Sequence, residues 1–516
     1  MRIGIDVGGT NTDAVLMDGT NLIAQMKSPT TSDITSGILT SIESVIKDGP
    51  KETINRLQAI MLGTTHFTNA LLEKRGLAPT GVLRLCLPAT TLLPPLIDWP
   101  KDLKTAIGGF HFLVPGGHEF DGREIASIDR KAILESVDEM KKTGIEALTI
   151  SGVFSPVSNS HEKAAQEIIK EALPEIDITL SSEIGRIGIL ERENAGALNA
   201  SLSKNAQLTI SGIKKALLSQ GINAPLFLSQ NDGTLMDAEF ATRYPVFTIA
   251  SGPTNSMRGA AFLSNTSNGI VVDIGGTSTD VGALINGFPR EASIAVEVGG
   301  ARTNFRMPDV ISIAIGGGSI IKTDPIEIGP KSVGFKLLEK ALVFGGDIPT
   351  STDYIVASKM TKLGNPDHVK NLDPKTVKQV TNLIKKRIET TVDQIKLNAE
   401  PVPVILVGGG SILLSDKLDG ASSVIRPKNG DIANAIGAAI AQVGGQVENV
   451  YSLDKLTRQE AMSMAQNEAI NKAISAGGDP KTVEIVEVEE IPLTYLPSNA
   501  VRIRTKAVGN LLGISS

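Results

Sequence analysis

Six residues with the chemistry to hold a phosphate group occur twice in this chain, in the same order and with the same spacing. The first copy consists of Asp6, Gly8, Gly9, Thr10, Thr12 and Asp13, and the second consists of Asp273, Gly275, Gly276, Thr277, Thr279 and Asp280. Paired glycines let the backbone approach a ligand closely, and hydroxyl and carboxylate groups beside them suit phosphate and a divalent cation. One such turn is more often an ordinary hairpin. The repetition favours a duplicated, two-lobed protein with one phosphate-binding turn in each lobe.

Apolar strands must position both turns. In the first copy an alternating apolar stretch ends at the glycine pair and residues 14–17 follow it, which predicts a β-hairpin. Residues 270–274 and Val281 repeat this pattern in the second copy. Helical and strand patterns alternate through residues 129–180, which is typical of α/β architecture. We expect an N-terminal lobe over residues 1–190, a C-terminal lobe with a helical insertion over 191–447, and a small α/β extension over 448–516.

Two triple-glycine turns are further candidates for nucleotide binding. Each follows an apolar strand and ends in serine: Gly316, Gly317, Gly318 and Ser319 form one, and Gly408, Gly409, Gly410 and Ser411 form the other. Such turns let a helix N-terminus approach a phosphate or a nucleoside, although a bare strand-to-helix turn explains one triple glycine equally well. Neither turn has the spacing of a P-loop or of a Rossmann dinucleotide site.

A hydroxyl-rich turn at residues 63–69 supplies candidate substrate-binding residues. Thr64, Thr65, His66 and Asn69 follow a short apolar strand and lead into a helix. His66 is the histidine with a plausible catalytic position, and a histidine that caps the turn is the competing interpretation. Nothing in the irregular segment 93–122 selects a particular substrate.

The composition is that of an ordinary globular protein. Hydrophobic residues make up 41% and charged residues 21%, and a net charge of −6 without a long basic block argues against nucleic acid as the main partner. The single cysteine, Cys86, excludes internal disulfides and multi-cysteine zinc sites, and its apolar surroundings favour a buried thiol. No apolar stretch reaches about 18 residues, and Asp6 interrupts any signal-peptide core. We therefore expect no membrane span and a cytoplasmic location.

The two hairpin patterns and the late triple glycine resemble the acetate kinase/sugar kinase/Hsp70/actin superfamily. The resemblance implies a two-lobed actin-like ATPase fold of the ribonuclease H-like type, in which the lobes clamp ATP and the hairpins hold its phosphates. Repressor-type sugar kinases share the opening pattern. They usually have lysine where this chain has Asp13, and many carry a cysteine-rich zinc motif that one cysteine cannot supply.

The chain more closely resembles the hydantoinase A/5-oxoprolinase family, along nearly its whole length. The matching segments are residues 8–13, 63–65 with 68–73, 154–156 before His161 and Glu162, 230–233, 251–253, 273–280 and 316–319. Long members of the family have histidine at two positions where this chain has Leu62 and Ile311. We therefore expect a shorter branch of the family.

The resemblance implies an ATP-dependent hydrolase that opens a cyclic amide or imide ring, of the hydantoin or 5-oxoproline type, through a phosphorylated carbonyl. ATP and Mg²⁺ are the implied cofactors, and a hydantoinase B-type partner subunit and an oligomeric state are also implied. Two alternatives stay open: a subunit of an ATP-dependent ketone carboxylase, and a non-catalytic ATP-binding clamp protein. The residues do not specify the ring.

The residue types suggest roles within such a mechanism. We expect Asp6 and Asp273 to hold Mg²⁺ through water, and Asp13 and Asp280 either to orient the attacking oxygen or a loop, or to bond their own turns. The expected phosphate cradle is Gly8, Gly9, Thr10, Asn11 and Thr12 from one lobe and Gly275, Gly276, Thr277, Ser278 and Thr279 from the other. The two triple-glycine turns would hold the rest of the nucleotide, and His66 would line the substrate pocket with its hydroxyl-bearing neighbours.

Overall fold

The computed structural model describes residues 1–31, 33–292, 295–454, 456–494 and 499–513, and the first hairpin lies in the largest sheet of these residues, here called the first sheet. Its strands are β1 (Arg2–Val7), β2 (Asn11–Asp18), β3 (Asn21–Pro29), β4 (Ala59–Thr64), β9 (Leu226–Ser229), β10 (Leu235–Asp237), β21 (Val443–Ser452), β22 (Glu484–Pro492) and β23 (Ala500–Gly509). Their spatial order is β22-β23-β21-β10-β9-β4-β1-β2-β3.

The strand β1 lies inside the first sheet and is buried along its whole length. Ile3 and Ile5 are fully buried, which is expected for a strand with both faces covered. The strand β2 pairs antiparallel with β1, so that Asp6 lies opposite Asp13. The strand β4 pairs parallel with β1 on its other side, and β9 pairs parallel with β4. This succession of an antiparallel trio and two parallel strands is the ribonuclease H-like pattern.

A second sheet carries the second hairpin. Its strands are β11 (Gly269–Ile274), β12 (Thr279–Ile285), β13 (Phe288–Pro289), β16 (Val310–Ile313), β19 (Val402–Val407) and β20 (Ala421–Ile425). Asp273 on β11 lies opposite Asp280 on β12, and β19 runs parallel to β11. The order β16-β12-β11-β19-β20 therefore repeats the order β3-β2-β1-β4-β9 of the first sheet. The predicted α/β fold, two-lobed and actin-like with a duplicated hairpin, is confirmed.

A third, parallel sheet packs against a long helix. Its strands are β5 (Thr80–Leu87), β6 (Phe110–Pro115), β7 (Ala147–Gly152) and β8 (Asp177–Leu180), in the order β6-β5-β7-β8. The long helix α7 (Ile189–Ser219) crosses this sheet. The Arg84 guanidinium on β5 donates to the Glu193 carboxylate on α7 at 2.6 and 2.7 Å, and both side chains are fully buried. A buried charge pair of this kind needs close, fixed geometry, so it holds α7 in register with the third sheet.

The remaining elements connect and cover these sheets. The helices are α1 (Ile34–Asp48), α2 (Thr53–Arg56), α3 (His66–Glu73), α4 (Lys101–Ala106), α5 (Arg130–Thr143), α6 (Ser160–Ala172), α8 (Ala238–Arg243), α9 (Ser251–Ser264), α10 (Leu337–Lys340), α11 (Ser351–Ala357), α12 (Pro374–Ile395), α13 (Ala433–Ile440) and α14 (Arg458–Ser475). Two short ribbons are formed by β14 (Val296–Val298) with β15 (Ala301–Thr303), and by β17 (Ser319–Thr323) with β18 (Ile326–Ser332).

The C-terminal strands extend the first sheet. The strand β21 pairs with β23, and β22 pairs with the other side of β23. The helix α14 covers them with a row of alanines spaced four residues apart, all fully buried: Ala461, Ala465, Ala469 and Ala473. The predicted boundaries at residues 190 and 447 stay predictions, but the first sheet draws strands from all three predicted segments. Residues 455, 495–498 and 514–516 of the last segment lie outside the described part.

The single cysteine is structural. Cys86 on β5 is fully buried, as predicted, and burial raises the pKa of its thiol, which disfavours the reactive thiolate. In the described residues no helix combines the length and the apolar character needed to cross a bilayer.

Candidate functional site

A cleft of about 380 Å³ lies between the two hairpin turns. The turns face each other across it, because a Cβ built on Gly276 would lie 3.5 Å from the Thr10 Cγ2 atom. The predicted site residues that line the cleft are Asp6, Gly8, Gly9, Thr10, Asn11, Asp13, Thr65, Asp273, Gly275, Gly276, Thr277, Ser278, Asp280, Gly317, Gly408, Gly409 and Gly410. The structure thus brings the two copies of the sequence repeat together at one site.

Equivalent backbone hydrogen bonds close the two turns. The Gly8 N–H donates to the Asn11 carbonyl at 3.0 Å, and the Gly275 N–H donates to the Ser278 carbonyl at 2.9 Å. No described heavy atom, outside its chain neighbours, lies within 4 Å of a Cβ built on Gly9. The first turn therefore has an open tip. An exposed glycine turn of this kind suits an anionic group such as phosphate.

Several residues predicted to contact the nucleotide lie behind the turns instead. The Thr12 hydroxyl is 3.3 Å from the Thr30 hydroxyl, and the Thr279 hydroxyl donates to the Ile315 carbonyl at 2.6 Å. The residues that do not line the cleft are Thr12, Thr279, Gly316, Gly318 and Ser319. The Gly318 N–H donates to the Gly276 carbonyl at 2.7 Å, and the Ser319 hydroxyl accepts from the Gly316 N–H at 2.8 Å. These contacts correct the prediction: this group braces the turns rather than facing the cleft.

The carboxylates of the first hairpin are held by two helices. The Asn255 side-chain amide on α9 donates to Asp6 at 3.0 Å. The Asn434 amide on α13 donates to both Asp6, at 3.1 Å, and Asp13, at 2.8 Å. Asp13 also pairs with the Lys27 ammonium at 2.8 Å. Asp13 is therefore fixed by β3 and α13 rather than by its own turn.

Burial raises the pKa values of three carboxyl groups in the cleft, those of Asp6, Asp273 and Asp280. The pKa of Asp6 is raised to about 6 by burial, which outweighs the hydrogen bonds from Asn255 and Asn434. The pKa of Asp280 is also raised to about 6, mainly by burial, although the Ser312 hydroxyl donates to this carboxylate. Burial raises the pKa of Asp273 as well. Negative charge is therefore disfavoured here until a cation approaches.

Glycines make room for the two carboxylates that end the first strands. A Cβ on Gly63, which lies opposite Asp6 in the sheet, would overlap the Asp6 carboxylate. A Cβ on Gly408 would overlap the Asp273 carboxylate in the same way. The Gly63-Thr64-Thr65 motif and the second triple glycine thus share one function, which is to leave space beside a buried aspartate.

The donor set fits a hydrated magnesium ion. Four carboxylates, Asp6, Asp13, Asp273 and Asp280, line one cleft. In the part of the chain that the structure describes, no three His, Cys, Asp or Glu side chains converge closely enough to ligate a metal directly. Mg²⁺ commonly binds through one or two carboxylates and takes its other ligands from water and phosphate oxygens. The cleft matches that mode, with Asp6 and Asp273 as the candidates.

His66 does not line the cleft, contrary to the prediction of a catalytic position. It begins α3, and its Nε2 atom lies 2.8 Å from the Asn205 Oδ1 atom and 3.2 Å from the Thr209 hydroxyl, both on α7. The Thr64 hydroxyl accepts the His66 N–H at 3.1 Å. His66 thus fastens the start of α3 to α7. Of the four predicted substrate-pocket residues, Thr65 lines the cleft, whereas Thr64, His66 and Asn69 do not.

The sequence prediction missed the polar residues that β3, α9 and α13 bring to the cleft. Lys27, Ser256 and Asn434 line it, and the Asn255 amide binds Asp6 behind it. A signal existed, since Asn255 and Asn434 stand in helices rich in small residues. An amide among small residues indicates a polar contact in a tightly packed interface, but its partner is not readable from spacing.

The two sheets and the paired turns define an actin-like ATPase fold. A family model described as the hydantoinase/oxoprolinase N-terminal region matches residues 2–173, and a model described as hydantoinase/oxoprolinase matches residues 192–399. The chain belongs to the hydantoinase/oxoprolinase family, which confirms the predicted resemblance.

Relatives include subunits of two kinds of enzyme. The chain is 29% identical over 382 residues to the caprolactamase subunit alpha of Pseudomonas jessenii, covering 68% of this chain and 53% of the relative. It is 28% identical over 390 residues to the acetophenone carboxylase gamma subunit of Aromatoleum aromaticum, covering 68% and 52%. The chain therefore spans about half the length of these curated relatives. The crystal structure of the ATP-dependent caprolactamase from Pseudomonas jessenii has the same fold, with a TM-score of 0.80 at 20% identity over 100% of this chain and 88% of that one.

Proposed function

We propose that this chain uses ATP and Mg²⁺ in the cleft to activate the carbonyl of a cyclic amide or imide, of the hydantoin or 5-oxoproline type, for ring opening by water. The observation that carries the proposal is the pair of equivalent glycine turns that face each other, each with a buried aspartate beside it. The similarity to a caprolactamase supports a ring amide as the substrate class. The hydantoinase/oxoprolinase family models support the same class.

Activation by ATP is needed because amide resonance makes the ring carbonyl a poor electrophile. Transfer of the terminal phosphoryl group of ATP to the carbonyl oxygen removes that resonance and releases ADP. Water then adds to the carbon, the C–N bond breaks and the nitrogen takes up a proton, which leaves an acyl phosphate on the opened chain. A second water molecule hydrolyses this acyl phosphate, giving the carboxylate and free phosphate. This chain's own contribution is positioning and charge neutralisation.

Different residues of the cleft bind the phosphates, bind Mg²⁺ and orient the attacking oxygen. The turns around Gly9 and Gly276 hold the phosphates from opposite lobes, and Asp6 and Asp273 bind Mg²⁺ through water. Asp13 is fixed by Lys27 and Asn434, and Asp280 by Ser312. Because both carboxylates are held in place, each can orient an attacking oxygen. The Lys27 ammonium adds positive charge beside the phosphates.

A second candidate is a subunit of an ATP-dependent ketone carboxylase, which the similarity to the acetophenone carboxylase gamma subunit supports. A third is a non-catalytic ATP-binding clamp. Both curated relatives are named as subunits, and we propose that a hydantoinase B-type chain completes the enzyme as an oligomer. A cytoplasmic location remains part of the prediction.

An ADP-release screen separates these candidates. The protein is supplied with Mg²⁺-ATP and either cyclic amides and imides or a ketone with bicarbonate, each with and without a B-type partner. ADP release matched by ring-opened product supports the proposal, and release only with ketone and bicarbonate supports the carboxylase. No release in any combination supports the clamp. Asp273→Asn should abolish turnover with the fold intact, whereas Asp416→Asn, an exposed surface carboxylate, should not.

A further inference from the structure

A second pocket of about 180 Å³ lies apart from the cleft and shares no lining residue with it. It forms where residues 182–187, which connect β8 to α7, face β21 and β23 of the first sheet. Four basic side chains line it. Arg502 lies on β23 and Lys472 on α14, whereas Arg186 and Arg306 lie on connecting segments. The cavity is smaller than sites for nucleotides or drug-sized ligands, so its occupant has few heavy atoms.

The acidic residues around this second pocket already have partners. Glu291 pairs with Arg186 at 3.0 Å and with Arg504 at 3.1 Å. Glu448 pairs with Arg186 at 2.9 Å and lies 3.5 Å from Arg502. Glu183 pairs with Arg243 at 2.9 Å. The basic side chains Arg186 and Arg502 take part in these contacts, and Lys472 pairs with Glu468 at 3.2 Å. Among the described residues that line the pocket, the cation left without a direct partner is Arg306.

Arg306 has no such partner. Among the described residues, no side chain or carbonyl lies within hydrogen-bond or ion-pair distance of its guanidinium group, which is half-buried. Burial lowers the pKa of this guanidinium, with the charges of Glu291 and Asp232 acting against that shift. A cation withdrawn from water without direct hydrogen bonds costs free energy. An anion that enters the pocket would offset that cost.

Gln446 adds an unused acceptor. It is 9% exposed, its Nε2 group donates to the Glu291 carboxylate at 3.2 Å, and its Oε1 atom has no hydrogen-bond partner among the described residues. Burial raises the pKa of Glu291, but Arg306 and Arg504 outweigh burial and keep its pKa low. An ionised Glu291 only accepts, which fixes the amide orientation. The free Oε1 atom therefore calls for a donor on the ligand.

We propose that this second pocket binds a small anion that also carries a hydrogen-bond donor. Arg306 supplies the ion pair to the ligand, and Gln446 accepts the hydrogen bond from it. Arg502 and Lys472 also line the pocket. Two kinds of ligand have this chemistry: hydrogen phosphate, and a short carboxylate with an amino group. The site is independent of the cleft and of the reaction proposed for it.

Calorimetric titration of the full chain with inorganic phosphate tests the site. We expect wild-type protein to bind phosphate, and Arg306→Gln to weaken this binding by about tenfold or more, which is the scale of one lost ionic contact. Arg302→Gln, which removes an equal charge from an exposed side chain of β15, is the matched control and should bind as the wild type does. Phosphate that enters the cleft contributes equally in all three proteins, so the difference reports the second pocket.

A second titration series tests whether the ligand must carry a hydrogen-bond donor. Sulfate has no proton at neutral pH, so wild-type protein should bind it more weakly than phosphate, and Gln446→Met should remove that preference. Comparing 5-aminopentanoate with pentanoate in the same way shows whether an amino group strengthens the binding of a short carboxylate, and its affinity beside that of phosphate shows which ligand is preferred. The proposal is overturned if wild-type protein binds none of these anions, or if Arg306→Gln binds them as tightly as wild type.

Thermal unfolding shows whether each variant used in the titrations is folded. Arg306→Gln removes a cation without a direct partner, but it also removes one of the charges that keep the buried Glu291 ionised, so the thermal unfolding temperature of each variant is measured beside the titration. If Arg306→Gln is unfolded, Arg502→Gln and Gln446→Met carry the same test, and unchanged phosphate binding in both would refute the site.

Discussion

At the scale of single residues, the cleft is defined by carboxyl groups that resist ionisation. Asp6 and Asp280 have pKa values of about 6 because burial disfavours their charged forms. The positions of these residues were predictable from the sequence repeat, since their order and spacing recur. Their pKa values were not, because burial depends on helices and strands that come from distant parts of the chain.

Asp280→Asn tests the raised pKa at a carboxylate that accepts a hydrogen bond from the Ser312 hydroxyl. The ordinary pKa of 3.8 applies in the unfolded chain, so between that value and about pH 6 the folded state binds more protons than the unfolded state. The contribution of Asp280 to the stability of the wild type therefore falls as pH rises through this window. We expect Asp280→Asn to be more stable than wild type above about pH 6, by about 2 kcal/mol, and to lose that advantage near pH 4.

Urea unfolding from about pH 4 to about pH 8, in the absence of divalent cations, measures this difference. Asp416→Asn on the exposed surface is the control and should follow the wild type. A constant gap between Asp280→Asn and wild type at all pH values would contradict the raised pKa.

His66→Ala separates an anchoring role from a catalytic one. The imidazole contacts α7 and not the cleft, so we expect kcat/KM to change by less than about threefold, which is about 0.7 kcal/mol in activation free energy. The unfolding temperature should fall, because loss of the hydrogen bonds to α7 costs about 1 kcal/mol. His111→Ala, at an exposed position of β6, is the control. A large loss of kcat with unchanged stability would restore the catalytic interpretation.

At the scale of elements, the site depends on how α9 and α13 pack together. A Cβ added to Gly437 on α13 would overlap the Asn255 backbone carbonyl on α9. This close approach brings Asn255 and Asn434 to the same carboxylate, Asp6. The hairpins could be predicted because apolar alternation and paired glycines are local signals. The convergence of two amides could not, because it depends on the tertiary contact of helices nearly two hundred residues apart, a contact that no local pattern encodes.

Gly437→Ala tests that contact. The added methyl group must push α9 away from α13, so we expect a loss of about 1–3 kcal/mol in stability and weaker binding of Mg²⁺-ATP. Gly212→Ala on α7 is the matched control, because its Cβ would lie 4.0 Å from the nearest atom, the Thr35 Oγ1. The control should be neutral or slightly stabilising. Thermal unfolding and calorimetry measure both effects, and equal behaviour of the two variants would refute the role of this contact.

At the scale of the whole molecule, the C-terminal strands are integral to the first sheet. The Lys506 ammonium on β23 pairs with Asp232 at 3.0 Å, and both side chains are nearly fully buried. Burial raises the pKa of Asp232, but the charge and hydrogen bond of Lys506, the hydrogen bond of Thr234 and the charge of Arg306 together outweigh burial and bring the pKa to about 2. An extension that is separate in sequence thus supplies the counter-ion for a buried carboxylate of another segment. Sequence composition indicated an appended unit because its helix and strands are locally complete.

Lys506→Met tests this dependence. Removing the ammonium leaves Asp232 buried without its main counter-ion, so we expect a loss of about 3–5 kcal/mol in the free energy of unfolding. The double variant Lys506→Met, Asp232→Asn should recover much of that loss, since no buried charge is left unpaired. If the double variant is no more stable than Lys506→Met in denaturant unfolding, the ion pair does not explain the packing of the C-terminal strands.

The central claim is that the two hairpin turns form one Mg²⁺-dependent nucleotide site. Calorimetric binding of a non-hydrolysable ATP analogue, with and without Mg²⁺, tests it most directly, because it requires no knowledge of the substrate. The wild type should bind only with Mg²⁺, Asp416→Asn should bind equally, and Asp273→Asn should bind about tenfold or more weakly while unfolding at a similar temperature. Binding that ignores Mg²⁺ and survives Asp273→Asn unchanged would contradict the account.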